Sequence, residues 1–418
     1  MEDEEQRDAD DVKGVGEMRR VLSALMIGTV VLASAAPVMA RQAPVSAKAA
    51  VTEVQSVKQE PDLRVGLAVK QGSVTVSLIG GKGTARTEGG KGASLAAGQS
   101  YDVRWQNGAY LVGREKLRGE VLTIRPSGKG AGAGEFTLNG RRYRGALELR
   151  HKGGGLTAVN IVPVDGYLLS VVPEEMPVDW PAEAIKAQSV AARSFALASR
   201  GRHASEGYDL CTTTHCQLYT GTAAEKSASN AAIKATRGEV LTYGGKPIEA
   251  LFHTDSGGMT ENSEDVWGSH VPYLRAAKDT PAKTMPWTKT ISRADLERKL
   301  AAKGHDIGKV RSIALSPLAI GRAAKDRTAS GRVKTMTVKG TKGTATLSGT
   351  TWRSLLGLKS TLFDAKLAKD MVTFTGYGSG HGLGISQWGA KRLAESGKSY
   401  AAILSHYYTG VTLQKNSY

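Results

Sequence analysis

The sequence predicts a strand-rich α+β protein: a small β-rich accessory region followed by a main domain with a few helices. Short segments such as LRVGLAV and SVTVSLI alternate apolar and polar residues and are separated by turn signals. Glycine is abundant, 50 of 418 residues, against 5 Phe, 6 Trp and 13 Tyr, which favours many turns between short strands. The segments with helical spacing are few and lie late in the chain. A length of 418 residues exceeds what one hydrophobic core usually organises, so two structured regions are expected. That length excludes a small disulfide scaffold, and a composition of 40% hydrophobic and 23% charged residues excludes a long coiled coil and a multispan membrane protein.

Residues 1–40 read as a leader region. The first 17 carry eight acids against Arg7 and Lys13, which is wrong for the start of an export signal. From Met18 the chain supplies Arg19 and Arg20, an apolar run from Val21 to Ala36 and a small-x-small site at Val38-Met39-Ala40. Met18 is therefore the expected initiator of a secretory signal peptide, with an uncleaved membrane anchor as the rival reading. Either way the body of the protein is expected outside the cytoplasm, in the periplasm, cell wall or extracellular space. Residues 41–62 are polar, rich in Ala, Lys and Gln, and read as a linker.

Residues 63–134 read as the accessory region, with a hairpin at Asn107-Gly108 between YDVRW and AYLVG. The main domain, 135–418, is expected to begin with a second hairpin at Asn139-Gly140 and strands through LTAVNIVPV. Pro181 to Arg200 is the clearest helix: proline suits its first turn and Glu183 its positive end. Ile185, Gln188, Ser189, Ala192, Phe195 and Ser199 recur on one face of it, while Lys186 and Arg193 share another. Further helices are expected at Ser227–Thr236, after Ser292 with Asp295 three residues on, at Ser386–Glu395 and at Tyr400–Tyr407.

The formal charge is +17, from 56 basic and 39 acidic residues. A field of that sign favours a polyanionic partner such as nucleic acid, an anionic membrane or an acidic cell-wall polymer. Export makes a nucleic-acid partner the least fitting of these.

The two cysteines sit in CTTTHC. Cys211, His215 and Cys216 place three soft or borderline ligands within six residues, with His203 a candidate fourth for tetrahedral zinc. A local Cys211–Cys216 disulfide is the alternative, and it gives His215 no role. In VVPEEMP, read as an extended apolar segment, Glu174 and Glu175 point to opposite faces and cannot form a two-carboxylate pair. One of them can still serve alone, since an apolar lining favours the neutral form a general acid needs. His253, Asp255 and Ser256 in FHTDSGG mimic a hydrolase triad, but alternation separates Ser256 from the other two and no nucleophile elbow is present. The glycines of GYGSGHGLG leave His381 beside a cleft.

Taken in order, NGRRYRGALEL, VNIVPVDGYLLSVVPEEMPVDWPAEAIKAQSVAARSFAL, CTTTHCQLYTG, ATRGEVLTYGGKPIEALFHTDSGGMTE, SGRVKTMTV, WRSLLGLKSTLF and GHGLGISQWGA resemble the SpoIID family, stage II sporulation protein D, with the related amidase-enhancer proteins. The resemblance runs from about Asn139 to Tyr418. It implies an exported lytic transglycosylase that cleaves peptidoglycan glycan strands, prefers peptide-free strands and leaves anhydro-muramic ends. The family's acid, the glutamate before Met-Pro, falls on Glu175. Its basic residues fall on Lys186 and Arg193, and His381, Ser386 and Gln387 of the GHGLGISQWGA stretch join them as implied substrate-binding residues. Its zinc motif falls on Cys211, His215 and Cys216, with His203 set further upstream than the family's histidine, and the zinc is implied to be structural. The implied partners are glycan strands and, for the amidase-enhancer branch, a cell-wall amidase. Non-enzymatic amidase enhancement is the alternative function; a zinc-dependent hydrolase would need an open metal position.

Overall fold

Alternating burial along the early strands builds the first half of the molecule. The computed structural model describes residues 60–415, apart from 89, 91, 129–131 and 133; the expected leader and nearly all of the linker lie outside these residues. Twelve strands come first: β1 (Asp62–Gln71), β2 (Ser73–Ile79), β3 (Lys82–Thr87), β4 (Gly92–Leu95), β5 (Ser100–Gln106), β6 (Ala109–Val112), β7 (Glu115–Leu117), β8 (Val121–Ser127), β9 (Glu135–Leu138), β10 (Arg141–Arg144), β11 (Ala146–Lys152) and β12 (Gly155–Pro163). In β2 the side chains of Val74, Val76 and Leu78 point inward while Ser73 and Thr75 face solvent, the period-two pattern of a half-buried sheet. Both Asn-Gly turns form as expected. Asn107-Gly108 and Asn139-Gly140 have positive φ at both positions, the type I′ geometry that matches strand twist.

These strands form two sheets. One runs β1-β12-β11-β8-β3-β4, extended beyond β1 by the short strand Leu210–Cys211; the other runs β10-β9-β2-β5-β6-β7. Residues from both enter one apolar cluster, including Leu63, Val65, Val76, Val103, Leu147 and Leu149. The boundary expected near Glu135 falls inside this arrangement, because β1 pairs with β12, β8 with β11 and β2 with β9.

The eight α-helices among the described residues are α1 (Val164–Glu175), α2 (Ala182–Ala198), α3 (Ser227–Ala235), α4 (Ser263–Trp267), α5 (Arg293–Ala302), α6 (Gly349–Leu356), α7 (Gln387–Glu395) and α8 (Tyr400–Tyr407). The fold is thus α+β. Helix α2 is central: Ala184, Ile185, Ala192 and Ala196 face the first cluster, while Ala187, Val190 and Ala191 face another built from Leu241, Ile248, Ile385, Ile403 and Tyr407. Its small side chains let elements pack on all sides. Ser292, Ser386 and Ser399 each cap a helix, their hydroxyls accepting backbone N–H groups three residues on.

A third apolar cluster, with Leu296, Leu300, Met336, Val338, Trp352, Phe363 and Phe374, organises residues 287–374. This lobe interrupts a continuous piece of the main body, since Phe252–His253 pairs in parallel with Ile385–Ser386 on its far side. No helix among the described residues is long and apolar enough to cross a membrane.

Candidate functional site

Glu174 and Glu175 do not lie on an extended segment. They end helix α1, whose buried Val164, Tyr167, Leu168, Val171 and Val172 recur at helical spacing, a signal readable in the sequence. Pro173 is tolerated because it stands at the last turn, where one lost hydrogen bond costs least. Helical geometry still separates the two acids. Glu174 is exposed and accepts from the Thr220 hydroxyl at 2.9 Å. Glu175 is half-buried, and its Oε1 accepts from the Leu218 backbone N–H at 3.0 Å. Burial raises the Glu175 carboxyl above the ordinary carboxylate range; the Leu218 N–H opposes the shift and the charge of Glu174 adds to it.

Gln387, at the start of α7, donates from Nε2 to the Glu175 carbonyl at 2.8 Å and more weakly to Gln188 Oε1 at 3.5 Å. Trp180 and Trp388 meet edge to face with ring centroids 4.9 Å apart. Lys186 is half-buried, its ammonium 2.8 Å from Glu183 and over the Tyr400 ring at 5.8 Å. The sequence brings Glu175 and Gln387 to notice but does not single out Trp180, Trp388 or Leu218. A cavity of about 410 Å³ opens at the other end of α1, lined by Arg144, Asp165, Asn230 and Arg237, and Glu175 does not line it.

Three expected substrate-binding residues spend their polar atoms on internal hydrogen bonds. Arg193 is fully enclosed rather than sharing an open face with Lys186: its Nε donates to Asp165 at 2.8 Å and its Nη atoms to the carbonyls of Glu239 and Ile233. The cause is the central position of α2, which buries every face of its middle turns. Losing one partner of such a buried pair costs about 3–5 kcal/mol, so Arg193 ties α2 to α1 and α3. His381 spends both ring nitrogens on backbone, Nδ1 accepting from Leu383 N–H and Nε2 donating to the Phe252 carbonyl, each at 3.0 Å. Burial, with the charge of Arg353, pushes it down to about 4, so it is neutral near pH 7. Ser386 is buried, and its hydroxyl accepts from Ser256 N–H and Gly389 N–H.

The FHTDSGG residues form no triad. Ser256 donates to Asp279 at 2.5 Å, Asp255 accepts from Gly257 N–H and Arg392, and His253 Nδ1 lies 3.1 Å from the Leu383 carbonyl.

Beside α1, the chain on both sides of β13 (Leu210–Cys211) brings together His203, Cys211, His215 and Cys216, whose ligand atoms all lie within 4.8 Å of one another. Cys211 Sγ is 3.6 Å and Cys216 Sγ 3.7 Å from His215 Nδ1, and Cys216 Sγ is 3.5 Å from His203 Nε2. A tetrahedral zinc with ordinary Zn–S and Zn–N lengths needs S···N edges of about 3.5 Å. The donor set therefore fits a tetrahedral metal ion, and both sulfurs are free thiols rather than a disulfide. Cys211 is held low by the Cys216 thiol that donates to it, while Cys216 is correspondingly pushed up, as for two thiols sharing a proton. Glu206 accepts from His203 Nδ1 at 2.7 Å, the outer carboxylate that orients metal-bound histidines. The sequence reading passes over Glu206, though its place three residues after His203 is a usable signal.

Two family models match the chain, one described as stage II sporulation protein over residues 152–243 and one as a domain of unknown function over residues 274–384. The first spans α1, α2, the His/Cys cluster and Glu175; the second spans the lobe. The chain is 33% identical over 366 residues to the amidase enhancer of Bacillus subtilis (strain 168), covering 76% of this chain and 50% of that relative. It thus spans half the length of that protein. Over 279 residues it is 36% identical to the stage II sporulation protein D of Bacillus amyloliquefaciens and 33% identical to that of Bacillus subtilis (strain 168), in each case 62% of this chain and 76% of the relative. With identity at this level over three quarters of those relatives and a model match across the segments that hold Glu175 and the His/Cys cluster, the chain belongs to the SpoIID, stage II sporulation protein D, family.

Proposed function

We propose that the protein is an exported lytic transglycosylase that cleaves peptidoglycan glycan strands during cell-wall remodelling, with Glu175 as its single acid and base. The names of its family and relatives support a cell-wall-associated role. The observation that carries the finer reading is the environment of Glu175: a lone half-buried carboxyl, raised by desolvation, with its neighbour Glu174 turned to solvent. A hydrolysing glycosidase ordinarily needs a second carboxylate to activate water or attack the sugar. A lytic transglycosylase needs one. Glu175, protonated, gives its proton to the glycosidic oxygen as the C1–O bond breaks; the resulting carboxylate takes the proton of the substrate's own C6 hydroxyl as O6 bonds C1. Acid and base are restored and an anhydro ring ends the strand.

Leu218 N–H holds the ionised form in place and Gln387 fixes the backbone that carries it, so the side chain is positioned from two sides. The four-ligand set leaves no open coordination position, which favours a structural zinc over a catalytic one. Zinc there would hold the loop that presents Leu218.

The test is product analysis by mass spectrometry on peptide-free glycan strands and on intact peptidoglycan. Wild type is expected to yield anhydro-muramic ends, and Glu175→Gln to yield none while melting normally. Proton transfer of this kind is worth roughly 10²–10⁴-fold. Reducing ends without the anhydro ring would make water the nucleophile. No cleavage of either substrate would leave the second reading, a wall-binding protein that stimulates a separate amidase, which the name of the Bacillus subtilis relative favours.

A further inference from the structure

Two indoles flank the segment that carries Glu175. Trp180 follows it in the chain by one short turn, and Trp388 directly follows Gln387, whose amide is bonded to the Glu175 carbonyl at 2.8 Å. Each ring is half-buried, and they meet at 62° with centroids 4.9 Å apart, which makes an aromatic corner. Trp180 packs its back against the first apolar cluster, whereas Trp388 belongs to none of the three clusters of the described residues. A large apolar ring that serves no core and is held beside a candidate acid is placed for a ligand. The ammonium of Lys391, one turn further along α7, lies over both rings at 5.4 and 5.9 Å, and its carboxylate partner is the solvent-facing Glu395 at 2.7 Å.

We propose that Trp180 and Trp388 form a sugar-binding subsite next to Glu175 that takes a pyranose ring bearing a carboxylate. The proposal rests on the reading of Glu175 as a glycan-cleaving acid. The C–H face of a pyranose is apolar and carries the positive edge that an indole face attracts, so stacking gives affinity without a fixed set of hydrogen bonds. A carboxylate on that sugar or its neighbour then meets Lys391 in place of the weakly held Glu395. This seats the strand lengthwise past the acid, and it gives a use to Trp388, a half-buried ring outside the three apolar clusters of the described residues.

Binding is measured by calorimetry with peptide-free glycan strands in the Glu175→Gln background, where the ligand stays whole, and with a neutral chito-oligosaccharide for comparison. Trp388→Leu, which keeps apolar volume but removes the ring face, is expected to weaken both ligands by roughly ten- to a hundredfold, the span of truncated aromatic anchors. Trp388→Phe should retain most of the affinity, which separates loss of stacking from loss of fold. Lys391→Met should weaken the glycan and leave the neutral oligosaccharide unchanged. Equal affinity of Trp388→Leu and its parent overturns the subsite, even where wild type cleaves and the Glu175 reading stands. If wild type cleaves nothing and Trp388→Leu still loses the glycan, the Glu175 reading falls and the subsite stands as a binding device.

Discussion

The role proposed for Glu175 has a measurable consequence in its titration. Its carboxyl is raised by burial, so the folded protein holds that proton to higher pH than the unfolded chain does. The first step of the proposed reaction needs the protonated form, so kcat/KM should fall as pH rises through the raised value. Stability follows the same sign: a raised acid contributes most at low pH and loses that contribution as pH climbs through its folded value. Wild type should therefore lose stability relative to Glu175→Gln as pH rises through that window, by at most about 1.4 kcal/mol per pH unit. Urea unfolding of both proteins across the acid range reads this directly, and parallel curves would mean an ordinary carboxyl. At this scale the sequence is informative where a residue type is rare. Two cysteines and a histidine in six residues mark a ligand set, and the structure brings them together with His203. Arg193 and His381 were less legible, because spacing gives the direction of a side chain and not what other elements pack over it.

The segment 211–221 links the His/Cys cluster to helix α1 and to its neighbours β12 and α2. Gln217 meets Tyr167 and the Ala192 carbonyl, Leu218 N–H holds Glu175, Tyr219 donates to Asn160, and the amides of Thr220 and Gly221 donate to Ser170. A metal bound at His203, Cys211, His215 and Cys216 would anchor one end of that ladder. A ligand at a thousandfold excess over its dissociation constant adds about 4 kcal/mol to folding. A strong chelator should therefore lower the melting temperature by several degrees, and Cys216→Ala should match it with no further response to chelator. Activity lost at an unchanged melting temperature would instead indicate a metal that takes part in the chemistry. Helix α1 shows why elements differ in legibility. Its apolar residues fit a helix, yet β-branched residues on both sides and Pro173 near its end also fit a buried strand, and short apolar runs leave that choice to tertiary packing. Helices α5, α7 and α8 carry their own serine caps, and Pro181 and Glu183 suit the first turn of α2, so local chemistry helped to announce all four.

Across the whole molecule, strand alternation revealed the early strands but neither their pairing nor the two sheets they form, because side-chain period says nothing of which strand is the neighbour. The lobe was hidden for a related reason: its core gathers residues 287–374, while the chain on either side closes into a single piece through Phe252–His253 and Ile385–Ser386. Its charge was legible only once its bounds were known. Residues 287–374 carry 18 lysines and arginines against six acids, a surplus of +12 out of +17 for the full sequence. Six acids can neutralise at most six cations, and four of the pairs are formed by Arg298, Lys309, Arg327 and Lys342. The remaining surplus makes a field that would draw the anionic strand of the proposed substrate toward the protein before any contact forms. Such a field is screened as the Debye length shrinks from about 10 Å at 0.1 M salt to about 3 Å at 1 M, whereas stacking on Trp180 and Trp388 is not. Association with peptide-free glycan should therefore slow steeply with salt while dissociation changes little. Reversing two exposed lobe charges, Lys366→Glu with Lys369→Glu, should slow association at low salt alone and leave the melting temperature unchanged. Surface-immobilised glycan with salt-varied kinetics separates the two rates, and an association rate indifferent to both salt and charge reversal would remove the lobe from any part in capture.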